Sequence, residues 1–286
     1  MGDNYLRHIA FYGQLMDLSA KSLLLLDDSS REEIRDFIRS MQNPDGGFKN
    51  RAGDSDIYYS LFGYCLAEVF GEQHMLDKLK EFVILTRKEK AIGFIHSCCL
   101  VILREKLETK RRRSASGSFF FLLRSYLKER HFINGSYRGF VLFLTLENFF
   151  RGSCRMKIAG NLMLSQSPVN EHSPCTEVAA RLALNKLTGK NTAELQSRLM
   201  NFFDGNNGFK SFAHVKSGDM LSTATALFAL KYSGADLRLI TPGCLKFIQN
   251  NFSGGAFFAG NGDLTVDPEY TFYGLLALGT LAKVDA

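Results

Sequence analysis

The sequence predicts an all-α fold, a single domain over residues 1–286 that is built from about six tandem helix pairs. Three observations predict it: a Gly-Phe turn that recurs along the chain, a helix apolar on nearly every face after each turn, and a distance of about 40 to 48 residues between copies. The hydrophobic fraction of 45% and the charged fraction of 22% are typical of a globular protein with a large core.

The clearest copy of the repeat spans residues 31–71. Its first helix, at 31–41, places apolar residues at helical spacing on one face, and a Gly46-Gly47-Phe48 turn follows it. The second helix, at 57–70, is apolar nearly all round and stops at Gly71. A helix without a polar face must be buried, so we expect the second helices to form an inner layer and the first ones an outer layer.

The other copies vary in clarity, and those at 191–234 and 235–283 are the clearest of them. Three weaker copies are expected at 72–113, 114–152 and 153–190. The inner helices are then expected at 57–70, 94–103, 138–149, 176–187, 221–232 and 270–281. Six such pairs can close into a double ring, in which the first and last units become neighbours; an open superhelix is the alternative.

The first unit carries a family resemblance. The string Gln42-Asn43-Pro44-Asp45-Gly46-Gly47-Phe48, followed by Asp56-Ile57-Tyr58-Tyr59-Ser60, resembles the repeat shared by protein prenyltransferase β subunits and by squalene-hopene and related terpene cyclases. The resemblance implies an α/α toroid with a central aromatic-lined cavity for an isoprenoid chain. It does not fix the activity, because one fold hosts several functions.

The resemblance also implies where a catalytic zinc would be held. In the prenyltransferases the ligands are an aspartate, a cysteine two residues later and a histidine one unit further on. Asp219 matches the aspartate, but Leu221 and Tyr270 stand at the cysteine and histidine positions. Because a catalytic zinc needs three protein ligands, we predict no metal and no other cofactor.

The Asp-x-Asp-Asp motif with which the cyclases protonate an alkene is also missing. The nearest strings are Asp54-Ser55-Asp56 and the segment from Asp263 to Asp267. Asp54 lies beside Asp56, and two close carboxylates raise each other's pKa, as a general acid near neutrality requires. A solvated loop carboxylate is the plainer interpretation of Asp54.

Aspartates stand at the start of three inner helices: Asp56, Asp219 and Asp267. The plain interpretation is that they cap the first turn, and Pro268 after Asp267 favours it. A capping role does not exclude a catalytic role, because all three aspartates should lie together at one end of the inner layer.

Tyrosines and histidines complete the candidate set. Tyrosines on first turns could stabilise a carbocation through their ring faces or simply fill the core. Two loop histidines could make acid-base or diphosphate contacts or be ordinary surface residues. The candidate catalytic residues are Asp54, Asp56, Tyr59 and Tyr270, and the candidate ligand-binding residues are Tyr58, Asp219, Asp267, Tyr273, His172 and His214.

These features favour an isoprenoid-handling enzyme, prenyltransferase-like or terpene-cyclase-like, that works without zinc. The alternative is a non-catalytic lipid-binding or scaffold toroid that has lost the family active site. A third interpretation, a barrel acting on sugars, would need Asp54 or Asp56 to lie opposite Asp263 or Asp267.

Charge and cysteines limit location and partners. The net charge of +6 permits an anionic ligand but does not demand nucleic acid. A basic run, Lys106 with residues 110–113, is a solvated loop or a peripheral membrane contact.

The sequence also predicts a cytoplasmic protein. The six cysteines form no C-x-x-C pair, and no signal peptide is recognisable at 1–15. The longest apolar runs are too short to span a bilayer.

Overall fold

Helices dominate the computed structural model, which describes residues 11–86, 93–107, 122, 145, 169–260 and 262–282. The inner helix expected at 138–149 lies almost wholly outside these residues. The described helices are α1 (Phe11–Lys21), α2 (Asp28–Ser40), α3 (Ile57–Phe70), α4 (Gln73–Thr86), α5 (Phe94–Leu107), α6 (Cys175–Thr188), α7 (Ala193–Met200), α8 (Met220–Ser233), α9 (Thr241–Asn250) and α10 (Pro268–Leu281).

Two very short antiparallel hairpins shape the Gly-Phe turns. Strand β1 (Phe48–Lys49) pairs with β2 (Ser55–Asp56), with Phe48 opposite Asp56. Strand β3 (Phe252–Ser253) pairs with β4 (Ala256–Phe257), with Phe252 opposite Phe257. Each hairpin belongs to the segment that joins an outer helix to the next inner helix.

The inner layer consists of α3, α5, α6, α8 and α10, which pack side by side in the order α5, α3, α10, α8, α6. These five helices confirm the expected inner helices at 57–70, 94–103, 176–187, 221–232 and 270–281. Because α10 packs against α3, the first and last repeats are neighbours, as ring closure requires. The division into six units stays a prediction, since the third unit lies outside the described residues.

The ends of the inner helices follow from their sequences. Asp56, Asp219 and Asp267 accept hydrogen bonds from backbone N–H groups of the first turn, which confirms the predicted caps. At the other end, α3 and α8 stop at Gly71 and Gly234, whose φ angles of 70° and 87° suit glycine. The residue types therefore fix where these helices begin and end.

In the three clear copies of the repeat, the phenylalanine of the Gly-Phe turn is hydrogen-bonded to the inner helix that follows it. The N–H of Phe48 donates to Ser60 Oγ at 2.9 Å, and its ring lies on Gly63, where a Cβ would come within 2.2 Å of the ring. The same bond joins Phe209 to Thr223 at 2.9 Å and Phe257 to Thr271 at 3.4 Å, and Gly274 lies under Phe257. A hydroxyl on the inner helix thus holds all three turns, and a glycine lies beneath the ring at Phe48 and Phe257.

Helix α1 packs mainly against α10 and also contacts α3. Its Phe11 ring lies 4.8 Å from that of Phe228 on α8, and Tyr12 Oη lies 3.3 Å from the Cys65 sulfur on α3. Lys106 of α5 lies 4.3 Å over the Tyr12 ring. Helix α1 thus contacts α3, α5, α8 and α10 of the inner layer.

The end of the inner layer at which the inner helices begin is called the mouth. It carries the capping aspartates and the loops that follow the Gly-Phe turns. In the described part of the chain, no helix is long and apolar enough to cross a membrane.

Candidate functional site

Arg51 joins the first repeat to the last one at the mouth. It lies in the loop between β1 and β2, and its Nε donates to Asp267 Oδ2 at 2.9 Å. Its Nη1 donates to Asp263 Oδ2, also at 2.9 Å, and its guanidinium lies 5.5 Å from the centre of the Tyr270 ring. Arg51 of the first repeat therefore meets two candidate residues of the last repeat, Asp267 and Tyr270.

A second link across the same boundary involves Glu269, in the first turn of α10. Tyr58 Oη donates to Glu269 Oε1 at 2.5 Å. Burial raises the pKa of Glu269 from 4.5 to about 7; the bond from Tyr58 opposes this rise and the charge of Asp267 adds to it. A carboxyl group that titrates near neutral pH can both give and take a proton there.

Asp56 has a different environment, because His96 of α5 lies beside it. His96 Nε2 is 3.1 Å from Asp56 Oδ2, and the N–H groups of Tyr58 and Tyr59 donate to Oδ1. Burial raises the pKa of Asp56, but these hydrogen bonds outweigh it and hold the pKa below its usual value. The expectation that Asp54 and Asp56 raise each other's pKa is therefore wrong for Asp56.

Two further capping carboxylates at the mouth are buried. Asp267 is 0% exposed, and burial raises its pKa although the Tyr270 N–H and Arg51 both favour its charged form. Asp219 is also buried, and burial raises its pKa against the hydrogen bonds from Ser222. The residues that start the helices thus also place negative charge at the mouth.

Tyrosines stay in their neutral form in this environment. Burial, and then the charges of Asp219 and Glu269, raise the pKa of Tyr270 to about 12. Burial and the charges of Asp267 and Glu269 likewise raise the pKa of Tyr59. These phenols can therefore donate hydrogen bonds at physiological pH.

Aromatic rings continue from the mouth towards the interior between α3 and α10. The Tyr58 ring lies 5.1 Å from that of Phe62, and Phe62 lies 5.4 Å from Tyr273 and 5.7 Å from Phe272. Tyr58 and Tyr273 are partly exposed, whereas the two phenylalanines are buried. A polar cluster and an apolar aromatic wall are thus adjacent, as in many ligand sites.

Three predicted site residues lie on the surface. Asp54 is exposed, and its N–H donates to Asn50 Oδ1 within the same loop. The His172 side chain is 86% exposed and lies 3.6 Å from Glu171, while the exposed His214 ring contacts that of Phe212. None of the contacts described above involves these three side chains, and their functional roles stay predictions.

Sequence reasoning missed three residues of this cluster, Arg51, His96 and Glu269. Glu269 carried a signal, because it is a charged residue in the first turn of an otherwise apolar inner helix. Arg51 carried no local signal, since its partner Asp267 is 216 residues away.

At the family's zinc-ligand positions, the described residues of the mouth do not offer the donor set of a prenyltransferase zinc. Asp219 Oδ2 accepts hydrogen bonds from the N–H and the Oγ of Ser222, and the side chain two residues after Asp219 is the apolar Leu221. Among the residues that the structure describes, no group of three or more His, Cys, Asp or Glu could hold a metal. These residues do not fit zinc, and no step is assigned to it.

The helices form an inner and an outer layer, and the first repeat packs against the last one. This arrangement is an α-α toroid. The family model described as the prenyltransferase alpha-alpha toroid domain matches residues 10–113 and 175–285. The chain belongs to this family, and the predicted all-α toroid fold is confirmed. No curated protein matches the chain.

Proposed function

We propose that this protein is an isoprenoid-handling enzyme that works without zinc, with the prenyl chain along the aromatic wall and its polar end at the mouth. The observation that carries the proposal is Glu269, a carboxyl with a pKa of about 7 that is held by Tyr58 next to that wall. Membership of a family associated with prenyl substrates supports the class of ligand.

In this proposal Glu269 transfers a proton to or from the polar group of the bound isoprenoid. A catalytic group is most effective when its pKa is near the working pH, and such proton transfer contributes roughly 10²–10⁴ in rate. Tyr58 fixes the orientation of the carboxyl group through its hydrogen bond. The ring faces of Tyr58 and Tyr273 would stabilise positive charge that develops on the chain, as in prenyltransferase-like or terpene-cyclase-like chemistry.

The other predicted residues have supporting roles. Tyr59 and Tyr270, whose raised pKa keeps them protonated, would donate hydrogen bonds to the polar end of the ligand. The Asp56–His96 pair would act as a second acid-base pair at the mouth. Asp54 is exposed in the neighbouring loop, and Asp54→Asn tests whether it takes part.

The alternative is a lipid-binding or scaffold toroid without catalysis. The replacement of two family ligand positions by Leu221 and Tyr270 favours it. In that case the Arg51–Asp267 and Tyr58–Glu269 contacts only hold the first repeat against the last.

We also place the protein in the cytoplasm. The cysteines at positions 65, 98, 99, 175 and 244 are buried free thiols, which suits a reducing compartment. Residues 110–113 of the basic run lie outside the described residues, and their contact with a membrane surface stays a prediction.

Calorimetric titration with farnesol and geranylgeraniol, followed by mass spectrometry of the incubated isoprenoids, tests the proposal. We expect binding by the parent protein, a product, and a loss of turnover of about 10²-fold or more in Glu269→Gln. Glu33→Gln, which changes an exposed glutamate of α2, is the matched control and should behave as the parent.

The two functions give different results. Binding without any product, and equal binding by Glu269→Gln, Tyr59→Phe and Tyr270→Phe, would establish the non-catalytic alternative. If the parent protein bound no isoprenoid at all, the enzyme and the lipid-binding toroid would both be wrong, and only the scaffold would remain.

A further inference from the structure

Among the residues that the structure describes, the charges around the mouth are unbalanced in favour of carboxylates. Among the described residues, Arg51 is the cation whose charge acts most on Tyr59, Glu269 and Tyr270. The positive charge of Arg51 lowers the pKa of these side chains. The negative charges of nearby carboxylates raise it, and these carboxylates are Asp219, Asp267 and Glu269. From these described side chains an incoming anion would therefore meet more negative than positive charge.

The positive charge of Arg51 is already compensated. Its Nε donates to Asp267 and its Nη1 donates to Asp263, so that two carboxylates share one guanidinium. Proteins recognise phosphate groups through arginine N–H groups that face the anion. Here two of the three nitrogen atoms already donate to the chain's own carboxylates.

The starts of three inner helices, α3, α8 and α10, are compensated in the same way. A helix N-terminus favours anions, because its first N–H groups are unpaired and its dipole is positive there. At the mouth these N–H groups donate to Asp56, Asp219 and Asp267. The three helix starts that would otherwise attract a phosphate are thus occupied by carboxylates.

We infer that the mouth accepts isoprenoids whose polar end is an uncharged oxygen group, such as an alcohol or an epoxide, and rejects diphosphates. Asp263 and Asp267 are the specificity-determining residues, because they neutralise Arg51. This inference rests on the proposed function and names the substrate class of the same site.

Asp263 is the better residue to change, because Asp267 also caps α10. Its side chain is 32% exposed, and Oδ1 accepts a hydrogen bond from the Thr265 N–H that an asparagine can keep. Asp263→Asn therefore removes one charge from Arg51 with little effect on the helix. A matched control exists on the surface, where the exposed Asp236 pairs with Arg238 at 2.6 Å.

The experiment measures the affinity of farnesol and of farnesyl diphosphate for the parent protein, Asp263→Asn and Asp236→Asn by calorimetry. We expect the parent to bind farnesol roughly tenfold more tightly than the diphosphate. Asp263→Asn should raise the affinity for the diphosphate roughly tenfold at low salt and less at high salt, since salt screens exposed charges. Its affinity for farnesol should stay within about twofold of the parent, and Asp236→Asn should match the parent for both ligands.

The outcomes separate this inference from the proposed function. If the parent bound the diphosphate as tightly as farnesol or more tightly, the inference would be wrong and the isoprenoid function would stand. An unchanged affinity of Asp263→Asn for the diphosphate would equally overturn the role of Asp263. If neither compound bound to any variant, the proposed function itself would fail.

Discussion

Glu269 should make the stability of this protein depend on pH, and Glu269→Gln should remove that dependence. The folded state raises the pKa of Glu269 from 4.5 to about 7, chiefly through burial. Between these two values the folded protein holds a proton that the unfolded chain has released. The contribution of Glu269 to stability is therefore complete below about pH 4.5 and is lost as the pH rises through about 7.

The size of the effect follows from the two pKa values. A difference of about 2.5 in pKa corresponds to about 3 kcal/mol, and the partial exposure of the side chain makes this an upper bound. Glutamine has the same shape and still accepts a hydrogen bond from Tyr58, but it loses the charge-assisted part of that bond, about 1 kcal/mol. We expect Glu269→Gln to gain about 1–3 kcal/mol over the parent between pH 5 and pH 8.

Urea unfolding followed by circular dichroism at pH 5, 6, 7 and 8 measures this difference. Glu33→Gln, on the exposed face of α2, controls for the loss of one carboxylate and should follow the parent at every pH. A difference between Glu269→Gln and the parent that stays constant from pH 5 to pH 8 would refute the argument, because the buried group would then not titrate in this range.

Two further predictions concern the turn and the metal. Phe48→Ala should destabilise the protein by roughly 3–5 kcal/mol in urea unfolding, because the ring is 0% exposed and lies on Gly63. Phe212→Ala, at an exposed ring, should cost less than about 0.5 kcal/mol, and equal losses in both variants would contradict this packing of Phe48. Because Leu221 and Tyr270 stand at zinc-ligand positions, the purified protein should contain no stoichiometric zinc by elemental analysis. One zinc per chain that survives dialysis against a weak chelator would disprove this.

Local signals were enough to predict the five inner helices that the structure describes. The predicted helix 57–70 has the observed bounds of α3, and the predicted 221–232 lies within α8. An apolar run, an aspartate before it and a glycine after it are all read from neighbouring residues, so no knowledge of the tertiary structure is needed. The same locality explains why the capping roles of Asp56, Asp219 and Asp267 could be predicted.

The candidate site could be predicted only in part, because its partners come from distant repeats. The sequence indicated that Asp56 and Asp267 would lie at one end, but not that His96 and Arg51 would bind them. The pKa of Asp56 depends on His96, which lies 40 residues further along the chain. Reasoning from the adjacent Asp54 therefore gave the wrong direction for the pKa of Asp56.

The contact between α3 and α10 also sets a time order for folding. The bond from Arg51 to Asp267 spans 216 residues, so α3 acquires its neighbour only after the chain between them has been made. At about 5–20 residues per second, ribosomal synthesis of that segment takes roughly 10–40 s. During this interval the side of α3 that later packs against α10 has no native partner and is open to association with other chains. Closure of the ring is for this reason a late folding event, and aggregation of incomplete chains competes with it.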